Sequence, residues 1–129
     1  LGMSMTAGAR EPAPAHPLGL LRVQNSFVVS APRWIQPSEE GVEIGALATG
    51  EGGITDVGDD VSARHAHVWC DDQNVWYVED LSSTNGTVVV NDATNVCTQV
   101  EPGRSAQLNP GDELKLGEST TYAILLGAL

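Results

Sequence analysis

The chain has 129 residues with 17 acidic and 6 basic side chains, a net charge of −11. That length supports one hydrophobic core, and so acidic a field repels nucleic acid and anionic membrane surfaces, so neither is expected as a partner. Apolar residues make up 41% and charged residues 18%, a balance that folds and excludes wholesale disorder.

Residues 1–17 are rich in Ala, Gly and Pro, and Pro12, Pro14 and Pro17 oppose both helix and packed strand. They read as a flexible tail or linker ahead of a domain over residues 18–129. The opening lacks the basic start and apolar centre of a secretory signal, and no run reaches the roughly 18 apolar residues of a membrane span. Two cysteines, Cys70 and Cys97, suit a reducing compartment, so a cytoplasmic location is expected; a single bridge between them stays open.

From Leu18 onward, short runs of Val, Ile, Trp and Tyr alternate with Gly, Asn, Asp and Pro about every 8 to 12 residues. This predicts strands over Leu20–Val23, Phe27–Ser30, Arg33–Gln36, Val42–Leu47, Ile54–Val57, Ala66–Cys70, Val75–Glu79, Thr87–Val90, Ser105–Leu108, Glu113–Leu116 and Thr121–Leu126. No stretch of helical length holds a 3.6-residue apolar period, so the expected fold is all-β, two antiparallel sheets of about eleven strands packed as a sandwich. The period of two places Cys70, Trp76 and Val78 toward the core and His67 with Trp69 on the opposite face.

Two polar loops carry the chemistry. In Asp80–Thr87, four small polar residues, Ser82, Ser83, Thr84 and Asn85, precede Gly86, and an Asn-Gly turn there can aim several donors at one point. Such a point suits a phosphate group of about −1.5 to −2 charge. About twenty residues earlier, Asp59–Ala66 holds Ser62 as a loop hydroxyl and His65, which reads best as a buried histidine hydrogen-bonded to neighbouring backbone.

Five segments together resemble the forkhead-associated (FHA) family: Val42-Glu43-Ile44-Gly45, Val61-Ser62-Ala63-Arg64-His65-Ala66, Asp80 to Thr87, Val100-Glu101-Pro102-Gly103 and Pro110 to Gly117. Their order and spacing match that family across roughly Leu18 to Leu126. The resemblance implies a non-catalytic module without a cofactor that binds a phosphothreonine-containing protein segment, usually as part of a larger signalling chain. It implies phosphopeptide-binding roles for Ser62, Arg64, Ser83, Thr84 and Asn85: Ser62 and Thr84 on phosphate, Asn85 on the ligand backbone. Gly45, His65, Gly86 and Thr87 shape the loops.

One position departs from the family. An arginine normally follows Ile-Gly, and this chain reads Ile44-Gly45-Ala46. Losing a charge-assisted hydrogen bond of about 1.5 to 3 kcal/mol weakens phosphate binding by roughly one to two orders of magnitude. Arg64 is the nearest basic residue in sequence. The alternative function is therefore a degenerate FHA domain that docks its partner independently of phosphate.

Other chemistries fit less well. Ser62, His65 and Asp80 form the one catalytic-looking set, but no Gly-x-Ser-x-Gly elbow accompanies them. His65 and His67 share strand parity near Asp71 and Asp72, with Cys70 on the other parity, so no metal site is expected. Gly50, Gly52 and Gly53 lack the Gly-Lys-Ser/Thr of a nucleotide loop, and Asp56, Asp59 and Asp60 lack calcium-loop spacing.

Overall fold

The computed structural model describes residues 16–127, which form eleven strands and no helix. The tail expected over residues 1–17 lies outside the described residues except for His16 and Pro17. In chain order the strands are β1 (Leu18–Gln24), β2 (Phe27–Val28), β3 (Arg33–Ile35), β4 (Val42–Ile44), β5 (Ala66–Cys70), β6 (Trp76–Asp80), β7 (Thr87–Val90), β8 (Cys97–Gln99), β9 (Ser105–Leu108), β10 (Glu113–Leu116) and β11 (Thr120–Leu126).

They make two antiparallel sheets. One has seven strands in the order β2-β1-β11-β10-β7-β8, with β3 also on β1; the other has four in the order β4-β5-β6-β9. Alternation decides which side chains face inward. In β5 Ala66, Val68 and Cys70 are buried while His67 and Trp69 are half-buried, and β6 buries Trp76, Val78 and Asp80. Leu18, Leu20, Leu114, Leu116, Tyr122 and Ile124 close the core from the larger sheet. Each such burial contributes roughly 1.5 to 3 kcal/mol.

Two expectations need correction. Ile54–Val57 is not a strand: only Ile54 is buried, joined to Ile44 by an isolated parallel bridge. Conversely, β8 pairs Val88 with Gln99 and Val90 with Cys97 although all three of its residues are exposed. An edge strand without a buried face shows no alternation to read. Cys70 is a buried free thiol and Cys97 an exposed one, so they are not bridged. Among the described residues no helix is long and apolar enough to cross a membrane.

The first and last described residues meet. Gly127 N–H donates to Pro17 O at 2.8 Å, His16 Nδ1 lies 2.8 Å from Gly127 O, and the Trp76 indole N–H reaches His16 O at 3.1 Å. At the other end of β11, three connections converge: residues 45–65 between β4 and β5, residues 81–86 between β6 and β7, and the turn 117–119 between β10 and β11.

Candidate functional site

His65 organises this end. It is fully buried just before β5. Its Nδ1 accepts the Ser62 N–H at 3.0 Å, so the proton sits on Nε2, which lies 2.8 Å from Gly86 O. Gly86 O also accepts the Gly117 N–H at 3.0 Å, so one carbonyl joins all three connections. Gly86 holds φ +90°, a conformation that glycine adopts without steric cost.

A second buried polar centre shapes the β6–β7 connection. Asp80 accepts the Ser83 N–H at 3.0 Å, the Ser83 hydroxyl at 2.5 Å and the Thr87 hydroxyl at 2.6 Å. Burial pushes its carboxyl upward, but the hydrogen bonds from Ser83 and Thr87 outweigh that and hold it below the ordinary value. Ser83 Oγ then accepts the Gly86 N–H at 3.0 Å. Ser83 and Thr87 thus act inside the loop, with their hydroxyls committed to Asp80.

That framework presents Ser62, Thr84 and Asn85. Ser62 Oγ accepts the Thr84 N–H at 3.0 Å, which leaves the Ser62 O–H proton available. Thr84 is exposed, and among the described residues its hydroxyl makes no hydrogen bond. Asn85 Nδ2 donates to Asp60 O at 2.8 Å, leaving its side-chain oxygen as an outward acceptor. Asp60 in turn accepts the N–H groups of Glu118 and Ser119 at 2.6 and 3.2 Å and the Ser119 hydroxyl. The Ser119 hydroxyl, followed by the Glu118 N–H, holds the Asp60 carboxyl below its ordinary value.

Ser62, Thr84 and Asn85 therefore form one cluster, Ser62 half-buried and the other two exposed, braced by Ser83, His65, Gly86 and Thr87. Gly45 lies under it: a methyl there would stand 2.4 Å from Ala63 O and 2.8 Å from Ser62 O. Next to it, Ala46 N–H donates to Ser62 O at 3.0 Å. The position where the family carries arginine is thus bonded to the cluster, with only a methyl side chain.

Arg64 is not brought into the cluster. Its Nε donates to Glu43 Oε1 at 2.9 Å and its terminal nitrogen to Glu43 Oε2. It also lines a recess of about 430 Å³ with Glu79, Asp80, Leu81, Ser82 and Gly103, a set that includes neither Ser62 nor Thr84. The Arg64 hydrogen bond, ahead of the Thr49 N–H, lowers the Glu43 carboxyl to about 2.

No relay joins Ser62, His65 and Asp80, because both imidazole nitrogens are occupied by backbone groups and the Ser62 oxygen serves Thr84. His65 and His67 do not share a face despite their parity. His65 precedes the strand and turns inward, whereas His67 stacks on Trp69 and meets Glu79 at 3.0 Å on the outer surface. Among the described residues no group of three His, Cys, Asp or Glu side chains is arranged to hold a metal ion. The bracing of Asn85 through Asp60 and Ser119 was invisible in the sequence, since it links residues far apart in the chain and carries no motif.

A family model for the FHA domain matches residues 51–117, more than half of the chain. The chain is 33% identical over 84 residues to an FHA domain-containing protein of Arabidopsis thaliana, a match covering 64% of this chain and 19% of that protein. The chain thus spans about a fifth of that relative's length. The solved FHA domain of an Arabidopsis thaliana hypothetical protein superposes with a TM-score of 0.69 at 23% identity, covering 95% of this chain and 96% of that one. An FHA domain studied for its phosphothreonine-dependent interactions gives a TM-score of 0.58 at 26% identity, over 88% of this chain and 99% of that one.

Proposed function

Since the chain belongs to the FHA family, we propose that it is a non-catalytic interaction module that recognises phosphothreonine in a partner protein. The observation that carries this reading is the cluster of Ser62, Thr84 and Asn85, where two hydroxyl protons and the Asn85 side-chain oxygen remain for a ligand. Ser62 and Thr84 hold phosphate oxygens; Asn85 accepts a backbone N–H of the peptide beside the phosphothreonine. The phosphothreonine dependence studied in a 26%-identical FHA domain supports the same assignment.

Strong net negative charge argues that the partner is a protein segment and not nucleic acid or membrane. It also requires that affinity come from short-range donors, since the long-range field opposes a phosphopeptide. Two unbridged thiols favour a cytoplasmic setting, and the small share of the relative that is matched favours a place in a larger chain.

Capture by a degenerate phosphothreonine peptide library, beside matched threonine and phosphoserine libraries, tests the reading. Selective phosphothreonine capture, lost in Thr84→Ala and weakened about tenfold in Asn85→Ala with folding retained, is the expected outcome. A second reading, docking that ignores phosphate, is favoured by the alanine at position 46. Equal capture of all three libraries would establish it in place of the first.

A further inference from the structure

Glu43 and Arg64 lie 21 residues apart, yet the β4–β5 register, with Ile44 opposite Ala66, brings them together. Two guanidinium donors meet the two carboxylate oxygens as a fork, the strong and directional form of this pair. Glu43 Oε1 also accepts the Thr49 N–H at 3.1 Å and the Thr49 hydroxyl at 3.2 Å. The carboxylate is thereby fixed from both ends of the β4–β5 connection. The side-chain exposures are unequal: 59% for Arg64 and 15% for Glu43. The guanidinium is the solvent-facing partner and the carboxylate is its anchor.

We propose that Glu43 sets the strength of phosphate binding by withholding Arg64 from the cluster of Ser62, Thr84 and Asn85. This rests on the phosphothreonine reading above. Arg64 follows Ser62 by two residues, and Ala46, whose N–H is bonded to Ser62 O, has only a methyl where the family has a guanidinium. A phosphate of about −1.5 to −2 charge attracts Arg64, but its capture requires both forked bonds to Glu43 to break, and that cost holds the arginine where it is. The arginine is a reserve whose recruitment Glu43 opposes. Glu43 is a positioning residue here, since it acts through Arg64.

The test uses the degenerate phosphothreonine peptide library and four forms of the protein. Glu43→Gln is expected to raise affinity about tenfold, the effect of one added charge-assisted contact. Adding Arg64→Ala to Glu43→Gln should erase that gain. Ala46→Arg serves as the positive control for a guanidinium beside the cluster. A gain in affinity is a readout that simple loss of structure does not produce. Unchanged or weaker binding in Glu43→Gln, with Ala46→Arg still gaining, would overturn the inference and leave the phosphothreonine reading intact. Failure of every form, Ala46→Arg included, would remove the reading and the inference together. A measurement on the unaltered protein guards against a misfolded variant: the Arg64 Nε–H resonance should stay in place when the library is added, and its displacement would also overturn the inference.

Discussion

Ala46 decides more by what it lacks than by what it does. Its N–H is already bonded to Ser62 O, so any longer side chain at this exposed position starts beside the Ser62 loop. Ala46→Arg should therefore raise phosphothreonine-peptide affinity by about ten to a hundredfold in a direct binding titration. The same substitution should leave binding unchanged if the module docks without reading phosphate. At this scale the sequence was most legible where a residue's role is local. The bonds of His65 to Ser62 N and Gly86 O fit the expected buried histidine, and the Asn-Gly turn holds its glycine at positive φ. The destination of Arg64 was not legible, because it depends on which strand of the sheet stands opposite.

Among elements, the junction of β4 with the loop that follows is the least tolerant of change. Gly45 is packed against two carbonyls of the Ser62 loop, and no rotamer adjustment relieves a backbone contact. Gly45→Ala should cost about 1 to 3 kcal/mol in denaturant unfolding, the usual range for overpacking. It should also weaken phosphopeptide capture by moving Ser62; a full-affinity, full-stability variant would show that the loop yields easily. Strands with one buried face, such as β5, β6 and β10, were readable from alternation alone. The segment after Ile54 was not, since its apolar Val57 only packs partly against the core while Thr55 and Asp56 stay exposed. β8 escaped for the opposite reason: its partner strand, not its own pattern, makes it a strand.

For the molecule as a whole, acid stability follows from the paired carboxylates. Glu43, lowered to about 2, and Asp60 and Asp80, held below the ordinary aspartate value, bind protons more weakly when folded than when unfolded. Their stabilisation is fully present above the ordinary carboxylate range and is lost as pH falls through the lowered folded values. The melting temperature should thus fall between about pH 4 and pH 2, with a shallower slope in Glu43→Gln; equal slopes would mean that the forked pair contributes nothing to stability. The molecule also has a polarity of access. His16 and Gly127 are hydrogen-bonded neighbours at one end of β11, while the Ser62, Thr84 and Asn85 cluster gathers at the other. Splicing the two ends through a short linker and reopening the chain at an exposed turn such as Asp92–Asn95 should give a circular permutant with the same sheets. His16 and Gly127 thus sit at the pole opposite the Ser62, Thr84 and Asn85 cluster, as a stem meets a flower head from beneath, so a fusion partner joined directly at either residue starts on the far side from those loops.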